Sequence, residues 1–121
     1  MSFPQQLLLV GAGGFMGAVA RWMLTDRLNA QPWDILAINI FGSFLIGIVL
    51  GFQQEGVRES VRLILATGFC GGFTTFSAFS YQTLQLLKDG RLSAAGLNVA
   101  LSLVVCILAT WIGVLLAQKF A

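Results

Sequence analysis

Four long apolar stretches, separated by short polar connections, constrain the fold of this chain more than any other feature. They cover residues 6–23, 33–52, 61–87 and 94–117 of a sequence of 121 residues. A helix needs about 20 mostly apolar residues to cross the hydrocarbon core of a bilayer. Only 10% of the residues are charged, against about a quarter in a soluble domain, so the chain cannot cover itself with a polar surface. We therefore predict one all-α transmembrane domain over residues 1–121, a multi-pass protein of the cell (inner) membrane.

The basic residues of the connections are divided almost evenly between the two sides of this four-helix arrangement. Three lie on the side of the N-terminus and four on the other, namely Arg58, Arg62 and Lys119 against Arg21, Arg27, Lys88 and Arg91. Because lysine and arginine bias sets orientation, this near tie favours dual topology, in which copies insert both ways. The alternative is one orientation set by another feature. Four helices enclose little space, so we expect an antiparallel homodimer with its two-fold axis in the membrane plane.

Several classes of function are disfavoured by residues that the sequence lacks. Its acidic residues all lie in connections or at the ends of the apolar stretches, whereas proton-coupled transport usually needs a carboxylate inside the membrane. Histidine, the commonest general base, is absent, so we expect no enzyme. The glycine-rich start departs from a dinucleotide fingerprint at Met16, and no phosphate loop follows, so we expect no nucleotide partner. Without a basic patch we also expect no nucleic acid.

The segment GFCGGFTTFSAFS, residues 68–80, combines features that are costly inside a membrane helix. Its paired glycines weaken a helix, and its four hydroxyls are unfavourable in hydrocarbon unless they find partners. Non-helical backbone at membrane depth is tolerated only where it is buried in protein or lines a cavity. The segment therefore predicts a third helix that is broken mid-membrane, beside either a pathway or a packing interface.

Neutral donors, rather than charges, occupy the other apolar stretches. Asn39, in INIFGSFLIG, offers two N–H donors, and a stripe with a spacing of four follows the last stretch, formed by Asn98, Ser102 and Cys106. Phe76 and Phe79 share a face of a helix, and the edges of aromatic rings carry partial positive charge. These residues fit the lining of an anion pathway, and they equally fit hydrogen bonds and packing between helices.

Three motifs resemble those of the fluoride channels of the Fluc (CrcB) family, and the resemblance covers essentially the whole chain. GAVARW resembles the motif of that family's first helix, INIFGSFLIG the motif of its second, and GFCGGFTTFSAFS the signature of its third. The resemblance implies a passive channel that exports cytoplasmic fluoride, built as a dual-topology homodimer in the lipid bilayer. It also implies two pores per dimer and a central structural sodium ion (Na+).

The resemblance assigns roles residue by residue. It implies that Phe76 and Phe79 are the pore phenylalanines, that Asn39 is the pore asparagine and that Arg21 lies in the vestibule. Residues 71–74 would form the break that binds sodium through the backbone carbonyls of Gly71 and Thr74. The remaining pore positions would be Ser77, Ser80, Asn98, Ser102 and Cys106.

Two positions depart from the family's usual pattern, Ala78 where many relatives have threonine and Gln82 where many have glutamate. They bear on how the anion is coordinated and not on the architecture. Two other functions remain open from the residues alone. One is a small coupled solute exporter, and the other is a membrane assembly subunit that transports nothing.

Overall fold

A computed structural model describes residues 1–52 and 58–120, which form helices and short connections without a strand. The central part of the second connection, residues 53–57, lies outside this description. In chain order the elements are α1 (Phe3–Leu28), α2 (Trp33–Gly51), α3 (Glu59–Val61), a π-helix (Arg62–Cys70), α4 (Gly71–Phe73), α5 (Phe76–Lys88) and α6 (Leu92–Phe120). Four stretches are long and apolar enough to cross a membrane, namely Phe3–Leu28, Trp33–Gly51, Glu59–Lys88 and Leu92–Phe120. The prediction of four membrane-competent helices is therefore confirmed.

Helix α1 extends past its predicted span at both ends, because polar residues that hydropathy does not register cap it. The Ser2 side chain accepts from the Gln5 amide and the Gln5 side chain accepts from the Ser2 amide, a capping box that starts α1. At its other end, Asn29 adopts the left-handed conformation with φ of 44°. Such caps extend α1 beyond the hydrocarbon, so its polar final turn still belongs to the helix.

Close packing joins helices that are not neighbours in the sequence. The π-helix packs along α1, and α6 packs most extensively along α2. A Cβ on Gly17 would overlap the carbonyl oxygen of Phe69, and one on Gly47 would overlap the carbonyl oxygen of Thr110. Backbones can approach this closely only where the side chain is hydrogen, which accounts for the recurrence of small residues. Since the contacts advance in the same direction along both partners, α1 runs parallel to the π-helix and α2 parallel to α6.

Two extended residues separate α4 from α5. Thr74 has φ of −83° and ψ of 153°, and Thr75 has φ of −151° and ψ of 114°. The break was predicted over residues 71–74, but Gly71–Phe73 is helical, so the interruption begins only at Thr74 and includes Thr75. The close approach of the α1 backbone explains Gly72, because a Cβ there would lie 2.5 Å from the carbonyl oxygen of Gly14.

Large apolar side chains cover the outside of the bundle. Phe15 is 70% exposed and Trp111 is 57% exposed, while the apolar core of the described residues consists mainly of small and aliphatic side chains. Two polar residues are nevertheless buried, Asp34 at 2% exposure and Asn98 at 1%. An apolar exterior of this kind suits contact with lipid or with another apolar surface.

Candidate functional site

A groove of about 380 Å³ lies beside the extended residues and brings α2, α5 and α6 together. Many of the residues singled out from the sequence line it, namely Asn39, Gly71, Thr74, Phe76, Phe79, Ser102 and Cys106. The other lining residues were not predicted from the sequence as site residues, namely Gly42, Ser43, Ile46, Cys70, Thr75 and Leu103. The lining contains no ionised side chain, so any ion in the groove would meet dipoles rather than full charges.

Asn39 stabilises the interruption between α4 and α5 by hydrogen bonding to both the amide and the carbonyl of Thr75. Its Oδ1 accepts from the Thr75 amide at 2.9 Å, and its Nδ2 donates to the Thr75 carbonyl at 3.2 Å. In a continuous helix that amide would donate to the carbonyl of Gly71. Because it donates to Asn39 instead, the Gly71 carbonyl loses that helical donor, and Gly71 itself lines the groove.

Arg21 reaches the same interruption from α1. Its Nε donates to the carbonyl of Gly72 at 3.2 Å, a group that would otherwise accept from the amide of Phe76. A positively charged guanidinium at the C-terminal end of a helix also interacts favourably with the negative end of the helix dipole. Arg21 therefore stabilises the end of α4, and its vestibule role stays a prediction.

The threonine hydroxyls satisfy local backbone groups. Thr74 Oγ1 donates to the Cys70 carbonyl at 2.8 Å. Thr75 Oγ1 caps α5 by accepting from the Ala78 amide at 3.1 Å, and it lies 3.1 Å from Ser77 Oγ. The Thr74 hydroxyl thus adds a second bond to a carbonyl that the Thr74 amide already binds, and the Thr75 hydroxyl satisfies an amide at the start of α5 that has no helical acceptor.

The two predicted phenylalanines form a pair at the start of α5. The ring centroids of Phe76 and Phe79 lie 5.4 Å apart with the rings tilted by 49°. Phe76 is 76% exposed, so one face of this pair is open. Ser80 donates to the Phe76 carbonyl at 2.9 Å and lines a second, apolar groove rather than the first.

The predicted stripe on α6 divides into two parts. Ser102 and Cys106 line the groove, whereas buried Asn98 donates from Nδ2 to Thr83 Oγ1 at 3.0 Å. Ser102 Oγ is buried and has no hydrogen-bond partner among the described residues. A buried hydroxyl without a hydrogen-bond partner lowers stability, so binding of a ligand or water to Ser102 Oγ would be favourable.

The arrangement suits a small ion that is bound by neutral groups. Among the described residues, no three histidine, cysteine or acidic side chains lie close enough together to hold a metal ion. The groove offers hydroxyls, a carboxamide and aromatic ring edges to an anion, and backbone carbonyls to a cation. The amides of the first turn of α5 add a partial positive charge at the same place.

Comparisons with known proteins agree on one family. The family described as CrcB-like protein, Camphor Resistance (CrcB), matches residues 8–114. The chain is 40% identical to a protein of Geobacter sulfurreducens named fluoride-specific ion channel FluC, over 93% of this chain and 97% of that one. Proteins with the same name match from Chlorobium phaeobacteroides, at 45% identity over 95% and 94% of the two chains, and from Methylocella silvestris, at 45% over 88% of each.

Proposed function

The chain belongs to the CrcB family and is a multi-pass membrane protein, and from this premise we propose that it is a fluoride-specific ion channel rather than an enzyme. It would release cytoplasmic fluoride passively across the cell (inner) membrane. The observation that carries the proposal is the groove in which Asn39, Phe76, Phe79 and Ser102 meet beside the interruption between α4 and α5.

The chemistry of the groove fits the difficulty of moving fluoride. A small, strongly hydrated anion must have its water replaced by other donors when it enters a narrow site. Ser102 Oγ is unpaired among the described residues, and Asn39 Nδ2 has a second N–H besides the one bound to Thr75. The ring edges of Phe76 and Phe79 supply partial positive charge without attracting a cation.

The pathway of a single chain would be completed by a second copy. We propose an antiparallel homodimer with two pores, because the groove is open on one side and Phe76 is mostly exposed there. The near-even division of arginine and lysine supports insertion in both orientations. Tags at the C-terminus should be accessible from both sides of the membrane, and accessibility from one side only would contradict dual topology.

The backbone carbonyls of Gly71 and Thr74 fit the proposed structural sodium ion. Both residues line the groove, and the Gly71 carbonyl has lost the helical donor that Asn39 takes from it. Oxygen ligands suit a hard cation, and two copies of the chain would supply four carbonyls. When bound, sodium would supply a fixed positive charge at the dimer centre. Replacing sodium by a large organic cation should weaken dimerisation, and a dimer of unchanged stability would contradict the assignment.

Fluoride efflux from liposomes that contain only this protein tests the proposed function. We expect efflux with the native chain, and strong suppression in Phe76→Ile and Phe79→Ile while the dimer persists. Phe15→Ile is the matched control, because Phe15 is similarly exposed but lies on α1 away from the groove. Native efflux that both ring variants preserve would reject the ring-edge contribution, and absence of native efflux from folded dimer would reject the channel.

A further inference from the structure

A third cavity, smaller than the two grooves, lies at the C-terminal end of α5 and is lined mainly by polar residues. It has a volume of about 150 Å³, and five polar residues line it, namely Gln31, Gln82, Gln85, Asp89 and Arg91. Pro32 and Leu86 complete the lining. A water molecule occupies about 30 Å³ in the liquid, so the cavity has room for a small ion that keeps several waters.

A tight turn fixes the charged wall of this cavity. The Asp89 amide donates to the Gln85 carbonyl at 3.0 Å, and the Arg91 amide donates to the Leu86 carbonyl at 2.8 Å. Gly90 between them has φ of 76°, a conformation that glycine adopts without strain. The Gly90 amide also donates to the Leu87 carbonyl at 3.1 Å, and with the Arg91 bond it ends α5 in a Schellman motif, so the backbone of Arg91 is held at the cavity.

Gln82 brings an unpaired polar atom to this cavity. Its Oε1 is buried and has no hydrogen-bond partner among the described residues. A buried carboxamide presents both a donor and an acceptor, and leaving either unpaired is costly. Water, alone or as the remaining shell of an ion, would satisfy it.

About one turn of α5 separates this cavity from the groove. Phe76 and Phe79 line the groove, Gln82 follows Phe79 by three residues, and Gln85 follows by three more. Residues three apart are neighbours on a helix, so Phe79 and Gln82 lie side by side about one turn apart, whereas at 3.6 residues per turn Gln85 lies on the side of α5 opposite Phe76. Of the cavity's lining residues on α5, Gln82 is the one that follows Phe79 most closely in the chain.

We propose that this cavity is an outer collection site for a small hydrated anion, and that Arg91 supplies the charge that draws the anion in. The inference rests on the proposed channel function. The anion keeps part of its water at the glutamine carboxamides and gives up the rest at the groove, so that dehydration proceeds in two steps. Asp89 lines the same cavity, and its negative charge repels the anion and partly offsets the attraction of the Arg91 guanidinium.

Charge substitutions at the turn test this proposal. Arg91→Gln removes the charge at the cavity, and Lys88→Gln removes an exposed charge from the same turn that does not line the cavity. Initial fluoride efflux is compared in neutral phosphatidylcholine vesicles, with a large monovalent organic salt setting the ionic strength. We expect Arg91→Gln to lower efflux about threefold at roughly 10 mM ionic strength and by much less at roughly 1 M, where the Debye length is only ~3 Å. Lys88→Gln should change it clearly less at low salt.

Asp89→Asn separates an electrostatic effect from a folding defect, because it should raise efflux at low salt by a similar factor. A misfolded variant would lower efflux at every ionic strength. If the native chain conducts but Arg91→Gln and Lys88→Gln behave alike, or if Asp89→Asn fails to raise efflux, the collection site is wrong and the channel stands. If the native chain does not conduct, the proposed function fails first and this inference with it.

Discussion

Asn39 closes the interruption between α4 and α5, and replacing it measures what that closure contributes to the fold. Its carboxamide accepts from the Thr75 amide at 2.9 Å and donates to the Thr75 carbonyl at 3.2 Å. Asn39→Leu keeps a side chain of similar size and removes both bonds. A buried backbone group left without a partner costs about 1–3 kcal/mol, so two such groups set a range of about 2–6 kcal/mol.

We expect a loss near the lower end of that range, about 2 kcal/mol, because Asn39 is only half-buried and water in the groove can replace part of each bond. Titration of micelles with dodecyl sulfate, followed by tryptophan fluorescence, gives the free energy of unfolding. Asn98→Leu is the matched control, because it loses one bond to Thr83 while the Thr83 hydroxyl keeps its 2.8 Å bond to the Phe79 carbonyl.

The control should cost about 1 kcal/mol, the contribution of a single hydrogen bond. The reasoning would be refuted if Asn39→Leu unfolded within about 0.5 kcal/mol of the native chain, since at least one of two lost bonds must then contribute nothing. Fluoride efflux in the same variant should fall as well, because the groove is built around the closed interruption.

Three further substitutions have expected outcomes. Gly17→Ala should destabilise the bundle by about 1–3 kcal/mol through overlap with the backbone of the π-helix, whereas Gly11→Ala, with open space around it, should leave stability unchanged or raise it in the same titration. Arg21→Met should lower stability by about 1–3 kcal/mol by removing the donor to the Gly72 carbonyl, and unchanged unfolding would show that water replaces it. Ser102→Ala should leave stability unchanged or slightly raised while reducing efflux, and a stability loss with normal efflux would indicate packing instead.

The helices could be predicted from the sequence because hydropathy alone limits what can cross a bilayer. The four apolar stretches correspond to the four membrane-competent helices, although the capped ends, such as Ser2 and Asn29, extend α1 beyond its span. Hydropathy does not register capping bonds, which depend on single polar residues. The π-helix over Arg62–Cys70 had no counterpart in the sequence analysis, because one extra residue per turn leaves little trace in composition.

The groove was predicted in part. Residue type pointed to Asn39, the phenylalanine pair and Ser102, since each places a donor or a ring edge in an apolar stretch. The sequence did not show that the carboxamide of Asn39 binds Thr75, because the two residues are 36 positions apart in the chain. For the same reason it did not separate Asn98, which binds Thr83, from its stripe on α6.

The polar cavity at the end of α5 was not predicted, although Gln82 was noted as a departure from the family's pattern. Its lining joins the first connection, which contributes Gln31, to the third, which contributes Arg91. Spacing within one helix predicts which residues lie on the same side of that helix. Whether two connections lie close together depends on how the helices pack, which spacing does not show. The burial of Asp34 at the start of α2 was missed for the same reason.

Fluoride and chloride efflux from the same liposomes tests the central claim most directly. Vesicles loaded with both potassium salts and containing only the purified chain are treated with a potassium ionophore, and each anion is followed with its own electrode. The account predicts rapid fluoride efflux that requires the ionophore, needs no proton gradient and leaves chloride inside. Equal release of both anions, or fluoride movement only in exchange for protons, would contradict a passive fluoride-specific channel.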